Sequence, residues 1–348
     1  MIPAYIAAVT LWLSIITYAV LGGADFGGGI WELGNLFGNK PKRQERQQLI
    51  MRALGPVWEA NNVWIIYLIV GLVTAFPIVS AVLATSLFIP TSLALIGIVM
   101  RGASFGFRSH FSQAVEVRKF WGSLFSAASL ITPFLWGTCA AAVASGNIHV
   151  PHGNIPVVLW RVWLTPFALD AGAMALAICA TLAAVYLTVE ARMDGNEELA
   201  NAFRVRAFIA EACGGVFAVL GLILSSFEAP ILWQGILNHA LWAVGVTILL
   251  GAAKIGTLIY RRYKIARILA IMEVAALLGT WGLAQLPYIV PPDLTIPAAA
   301  SPPTTLWEFL ASVVVGMLIL LPSLWFLFHV FKGRNPVPLV HEKEIKGT

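Results

Sequence analysis

Nine runs of mainly apolar residues, most of them long enough to cross a lipid bilayer, divide this chain of 348 residues. A spanning helix needs about 20 such residues, and a helix satisfies all its backbone hydrogen bonds internally in lipid. The runs lie at 4–22, 57–76, 78–100, 120–145, 157–188, 203–226, 236–259, 265–285 and 306–331. They predict an all-α, polytopic membrane protein with nine transmembrane helices, arranged as two four-helix bundles plus one extra helix.

The composition excludes a soluble protein. Apolar residues make up 59% of the chain and charged residues 11%, whereas a soluble domain carries about 25% charged residues. The net charge of +5 does not indicate a nucleic-acid partner, because the basic residues lie between the apolar runs and not in one stripe.

The basic residues also predict the orientation. Of the 22 Lys and Arg residues, all except Arg161 fall in or beside every second loop or in the C-terminal tail. Because cytoplasmic loops carry the excess of Lys and Arg, we expect the N-terminus outside and the C-terminus in the cytoplasm.

We treat residues 1–348 as one integral membrane domain. Within it we distinguish a helix group at 1–145, a second group at 157–285 and a last helix at 306–331. The polar segment 41–52 predicts an amphipathic helix on the cytoplasmic surface. The proline-rich segment 286–305 predicts an extended outer loop.

Charged residues at membrane depth are the candidate functional residues, because placing them there is costly. Asp25 follows the first run within a glycine-rich stretch, Glu59 begins the second run, and Arg101 ends the third. Two carboxylates and one guanidinium therefore converge on the cytoplasmic side. Trp58 directly precedes Glu59, and Asn62 follows it three residues later. We assign both to the same polar cluster.

Two interpretations of this cluster remain open. An arginine between two acids holds them ionised while burial opposes ionisation, which suits groups that pass protons. A purely structural clamp between helices is the alternative. The glycines around Asp25 are consistent with an unwound segment or with close helix packing.

Three more acids are secondary candidates: Asp170, Glu211 and Glu273. Counting from Leu159 places Asp170 near the bilayer midplane, and the other two about 12 Å from the cytoplasmic side. No basic residue is expected at their depth, because Lys254 is close enough to the surface to extend outward. We therefore expect these acids to be protonated, to face water or to pair with another subunit.

The chain is not expected to ligate haem or metal, because a bis-histidine site needs two histidines on facing helices. Among its six histidines only His239 and His329 fall in the runs, and they lie at opposite ends.

Four stretches resemble subunit II of the cytochrome bd quinol oxidases. They are GGADFGGG at 22–29, GPVWEANNVW at 55–64, Arg101 after the third run, and QLPY at 285–288. The number of spans, the outer N-terminus and the length agree, so the resemblance covers nearly the whole chain.

The resemblance implies a membrane-bound terminal oxidase in which a partner, subunit I, carries haems b and d and oxidises quinol. Oxygen is reduced to water with protons from the cytoplasm, which generates proton motive force. This chain would be the haem-free partner of subunit I, with a cytoplasmic proton entry at Asp25 and Glu59. A structural quinone, bound lipid and a small accessory subunit are candidate further components.

This sequence departs from the family pattern at three positions, one of which is Asp170, where an apolar residue is expected. Gly22 stands where many members have an acid, and Glu59 stands where an aspartate is frequent. These departures indicate a divergent branch, for which the cyanide-insensitive type is a candidate. The alternatives to an oxidase subunit are a secondary transporter with a broken-helix site at Gly22–Gly29 and a purely structural membrane scaffold.

Overall fold

The computed structural model describes residues 1–33, 40–54, 58–110, 115–150 and 160–332. Long helices dominate it, and the only sheet in these ranges is one small hairpin. The helices are α1 (Ile2–Leu33), α2 (Lys40–Leu54), α3 (Trp58–Ala75), α4 (Pro77–Ser86), α5 (Phe88–His110), α6 (Val115–Ala144), α7 (Pro166–Met193), α8 (Glu197–Glu228), α9 (Pro230–Gly235), α10 (Leu241–Ile259), α11 (Tyr263–Gln285), α12 (Ile296–Ala299) and α13 (Pro303–Lys332).

The helical membrane architecture expected from the sequence is confirmed in the described ranges. Eight segments are long and apolar enough to cross a bilayer: α1, α5, α6, α7, α8, the combined α9–α10, α11 and α13. A π-helical turn at Ile236–Ala240 joins α9 to α10. The second predicted span corresponds to the shorter apolar α3, so the count of nine stays a prediction.

Two predicted span boundaries are wrong because a turn interrupts or delays the helix. The third run is split at Leu87 into α4 and α5, and α5 continues nine residues past Arg101. The fifth helix begins at Pro166 and not near residue 157, because Thr165 caps it and proline suits the first helical turn. Arg161 lies in a separate short turn, Trp160–Val162.

The first helix does not end or unwind at its glycines. It continues to Leu33, and Gly22 to Gly29 are buried within it. A Cβ added at Gly27 would overlap the backbone oxygen of Cys179 in α7, and one at Gly29 would overlap Ser129 in α6. Close helix packing is therefore the correct interpretation of these glycines, and the unwound segment is wrong.

Segment 286–305 is more ordered than the extended loop predicted from its prolines. Strands Tyr288–Val290 (β1) and Leu294–Thr295 (β2) pair antiparallel, and the short helix α12 follows them. Val290 and Leu294 are buried in a core that α1, α4 and α13 share, so the hairpin closes one end of the bundle.

Helix α2 covers the predicted segment 41–52. Its position on the cytoplasmic surface of the membrane stays a prediction. Its residues Leu49, Ile50 and Ala53 are buried against α7 and α8. It therefore packs on the end of the bundle where α7 ends and α8 begins. We call this end, where the basic loops gather, the basic end.

Candidate functional site

Asp25 lies inside α1 and is almost completely buried, with 3% of its surface exposed. The side-chain amide of Asn61 in α3 donates a hydrogen bond to Asp25 Oδ2 and another, of 3.3 Å, to the backbone oxygen of Leu21. Asn61 thus ties α3 to α1 beside the carboxylate, where the glycines of α1 let neighbouring helices approach.

Arg101 approaches the same place from α5 and is also buried, with 7% exposed. Its guanidinium lies over the rings of Phe26 and Phe125, 4.9 and 5.0 Å from their centroids. Asp25 acts on it electrostatically. Such cation–π contacts, together with the nearby carboxylate, lower the cost of keeping the charge away from water. The structure therefore brings Asp25 and Arg101 into the same region of the fold, and their role stays a prediction.

The other three members of the predicted cluster have different outcomes. Trp58 and Glu59 belong to the first turn of α3, but their side chains lie outside the part that the structure describes. Asn62 is half-buried, and the hydrogen bond to Asp25 comes from the preceding residue, Asn61. Asn61 was not among the residues predicted from the sequence. Which of the two asparagines faces Asp25 depends on how α3 is rotated about its axis relative to α1. The packing of the helices sets this rotation, and the sequence pattern does not.

Asp170 does not lie where the sequence count put it. Because α7 begins at Pro166, Asp170 is only about 6 Å from the start of the helix and not at the midplane. It is 6% exposed, and neither carboxylate oxygen has a hydrogen-bond partner among the described residues. A Cβ added at Gly221 in α8 would lie 2.7 Å from its Oδ2, so the carboxyl group is pressed against that helix.

Glu211 and Glu273 do have a basic partner, contrary to the prediction. Lys254 donates from Nζ to Glu211 Oε2 at 2.5 Å and also to Glu273 Oε2. Only 2% of the Lys254 side chain is exposed, so it points into the protein and does not extend to the surface. The energetic reason is that the carboxyl groups of two other helices stabilise the buried ammonium group.

The described residues do not fit a haem or metal site. They contain no group of three or more His, Cys, Asp and Glu side chains placed to hold an ion. His149, His239 and His329, the histidines whose side chains are described, are all exposed. His149 follows α6 and His239 lies in the π-helical turn, whereas His329 lies near the end of α13. No pair of them faces one another, as a bis-histidine haem site requires.

Comparison with known proteins identifies the family. A family model described as cytochrome bd terminal oxidase subunit II matches residues 3–331. The chain belongs to this family. It is 26% identical over 337 residues to a putative cytochrome bd menaquinol oxidase subunit II of Bacillus subtilis strain 168, with 94% of this chain and 95% of that protein covered.

More distant relatives of this bd-oxidase subunit agree. The subunit 2 of the cytochrome bd-I ubiquinol oxidase of Escherichia coli K12 is 23% identical over 372 residues, covering 92% of each chain. The bd oxidase structure from Geobacillus thermodenitrificans shares the fold, with a TM-score of 0.80 at 22% identity and coverage of 96% of this chain and 100% of that chain.

Family membership establishes the general function. The chain is subunit II of a cytochrome bd-type quinol oxidase, a haem-containing respiratory complex that includes a subunit I. It is a multi-pass protein of the inner membrane. The transporter alternative is not favoured, and the broken helix that it requires at Gly22–Gly29 is absent from α1, which is continuous there.

Proposed function

We propose that this subunit supports a haem-bearing subunit I and admits protons from the cytoplasm through a polar cluster of Asp25, Glu59 and Arg101, in which Asn61 is the hydrogen-bonding neighbour of Asp25. Haems b and d then belong to subunit I, and the protons are consumed when oxygen is reduced to water. Electrons from quinol and protons from the cytoplasm would thereby generate proton motive force. No haem ligand from this chain is needed in this arrangement.

The proposed orientation has the N-terminus outside and the C-terminus in the cytoplasm. It is supported by the sequence, in which all Lys and Arg residues except Arg161 fall in or beside every second loop or in the C-terminal tail. Asp25 lies eight residues before the end of α1, about 12 Å from the basic end, and Arg101 lies nine residues before the end of α5, about 14 Å from it. Asp25 and Arg101 therefore lie at a similar depth, within reach of the cytoplasmic side.

The observation that carries the proposal is a buried carboxylate with a hydrogen-bonding neighbour and a cation on separate helices. A carboxylate at this depth is costly unless its environment compensates for the lost hydration. Arg101 compensates the charge, and Asn61 orients the carboxyl group. A group held in this way is suited to accept and release a proton.

Asp25→Asn and Glu59→Gln test the proton role. Both changes keep the shape of the side chain and remove the group that carries a proton, so we expect quinol oxidase activity to fall by at least tenfold. The haem content of the purified complex should stay near that of the wild type. Oxygen consumption and the haem d absorbance of the same preparation measure the two quantities.

Asp194→Asn and Glu308→Gln are matched controls, because both acids are exposed. They should leave activity and haem content unchanged. Equal losses of activity and haem in the Asp25 and Glu59 variants would show that the cluster is only a clamp between helices, and would refute the proton role.

A structural quinone, bound lipid and a small accessory subunit complete the proposal. They rest on the resemblance to the family and on the apolar side chains that α8 and α13 expose. Quantifying quinone and lipid extracted from the purified complex, together with mass spectrometry of its polypeptides, tests for all three.

A further inference from the structure

Three charged side chains join α8, α10 and α11 inside the membrane-spanning region. Lys254 on α10 binds Glu211 on α8 at 2.5 Å, and it also binds Glu273 on α11. The lysine side chain is 2% exposed, and the two carboxyl side chains are 15% and 18% exposed. We call these three residues the Lys254 triad.

Gly251, one turn before Lys254 on α10, leaves room for the other two carboxyl oxygens. A Cβ at this position would lie 2.7 Å from Glu273 Oε1 and 3.3 Å from Glu211 Oε1. Each carboxyl group therefore has one oxygen at the lysine and one beside Gly251. The two groups therefore share one pocket, bounded by the Lys254 ammonium on one side and by Gly251 on the other.

The charges of the triad do not balance when all three groups are ionised. Two carboxylates and one ammonium give a net charge of −1, which is costly at membrane depth. A hydrogen bond between two carboxyl groups also requires a proton on one of them, because an ionised carboxylate only accepts. One bound proton removes the net charge and makes this hydrogen bond possible.

No second cation contacts the carboxyl groups in the ranges that the structure describes. The charged groups that act on Glu273 there are Lys254 and Glu211. Arg267, six residues before Glu273 on α11, lies over the ring of Tyr186 in α7. The further titratable side chains that α7, α8, α10, α11 and the adjoining α1 carry are Tyr5, Tyr18, Asp25, Glu32, Asp170, Cys179, Glu190, Arg192, Glu197, Glu198, Arg204, Arg206, Cys213, Glu228, Tyr260, Tyr263 and Lys264.

We propose that the Lys254 triad is a proton-binding site, in which one exchangeable proton is shared between the carboxyl groups of Glu211 and Glu273 beside the lysine ammonium. Lys254 lies five residues before the end of α10, about 8 Å from the basic end, and the side chains of Glu211 and Glu273 are 15% and 18% exposed, so we expect protons to reach the site from that end. The site is separate from the Asp25 cluster, so it does not depend on the proton-entry proposal.

Infrared spectroscopy of the purified oxidase complex at pH 7 tests this proposal. The C=O stretch of a protonated carboxylic acid shifts in D2O, which isolates exchangeable acids in a difference spectrum. We expect Glu211→Gln and Glu273→Gln each to abolish the same acid band, because either change leaves one carboxylate balanced by Lys254. Lys254→Met should instead double this band, because both carboxyl groups then keep a proton.

Glu308→Gln is the control, because this glutamate is exposed and should not contribute to the band. The haem spectrum verifies assembly of each variant. A band lost in only one glutamine variant would place the proton on a single residue and refute sharing. A band unchanged in both would show that the triad is fully ionised. If one glutamine variant fails to assemble, the other variant and Lys254→Met still test whether the triad binds a proton. Loss of the acid band in the former and its doubling in the latter would support the site, and an unchanged band in both would refute it.

Discussion

At the residue scale, Gly27 illustrates how close packing of α1 and α7 depends on a missing side chain. An added Cβ would overlap the backbone oxygen of Cys179 and lie 2.6 Å from the Cβ of Ala183. Backbone atoms do not move aside as a flexible side chain does, so the two helices would have to separate. This separation would disturb the packing directly beside Asp25.

We therefore predict that Gly27→Ala destabilises the complex by about 1–3 kcal/mol, the usual cost of overpacking. The midpoint temperature of thermal unfolding, followed through the haem absorbance, should fall. Gly215→Ala is the matched control, because nothing lies within 4 Å of a Cβ added there. It should leave the midpoint unchanged or raise it, since alanine favours helix over glycine. Equal midpoints for Gly27→Ala and the wild type would contradict the close contact.

Residue patterns predicted the convergence of Asp25 and Arg101 but not every partner. The order of the spans and the positions of the charges were enough to bring these two residues to one side of the membrane. They were not enough to choose Asn61 over Asn62, because the choice depends on how α3 is rotated against α1. A rotation of one residue, about 100° on a helix, changes which amide faces the acid.

Lys254 was assigned wrongly for a related reason. Its long side chain can reach outward to the membrane surface or inward to a neighbour, and its position near the end of a span does not decide between them. Charge balance was the available signal: Glu211 and Glu273 lie on α8 and α11, which flank the combined α9–α10 span in the sequence, and both needed a cation. Buried acids and bases on neighbouring spans should therefore be considered together.

At the element scale, α2 differs from the other long helices because it is polar and packs by one narrow face. Ile50 is 1% exposed and contributes to the core that α2 shares with α7 and α8. Arg52 contacts Asp194 at the end of α7, but both side chains are substantially exposed, so this ion pair adds little. Apolar contact is the main force that holds α2 in place.

We predict that Ile50→Ala weakens the packing of α2 by about 2–5 kcal/mol, the usual cost of removing a large buried aliphatic side chain. Amide hydrogen exchange in Lys40–Leu54 should accelerate, whereas exchange in α7 should remain slow. Gln48→Ala on the exposed face of the same helix is the control. Unchanged exchange in α2, or acceleration throughout the chain, would be inconsistent with a separately packed element.

The boundaries of the elements could be predicted where apolar length alone sets them. The start and end of α11 agree with its predicted span within two residues, because Lys264 precedes the mainly apolar run and Pro287 follows it. The break at Leu87 and the late start of α7 depend on local turns within apolar sequence, where hydrophobicity carries no signal. The hairpin in segment 286–305 also depends on tertiary packing, since Val290 and Leu294 are buried by other helices.

At the scale of the whole molecule, the distribution of apolar surface fits a subunit that needs both lipid and a partner. Helices α8 and α13 expose most of their apolar side chains, whereas α6 and α7 are largely buried within the chain. In a bilayer this exposure costs little, because lipid tails are as apolar as the side chains. Burial inside the chain is therefore concentrated in α6 and α7, which pack against the glycine-rich part of α1 that carries Asp25.

The absence of facing histidines among the described residues leads to a prediction for the isolated subunit. His149, His239 and His329 are exposed and occupy separate parts of the fold, so they provide no pair of axial ligands. Produced without subunit I and purified in detergent, this chain should be colourless and should show no haem bands in a reduced-minus-oxidised spectrum. Production with subunit I should yield a complex with haem b and haem d bands. A red partner-free chain that loses its colour when one of its histidines is replaced by alanine would show that this subunit binds haem itself. That result would refute the assignment of the haems to subunit I.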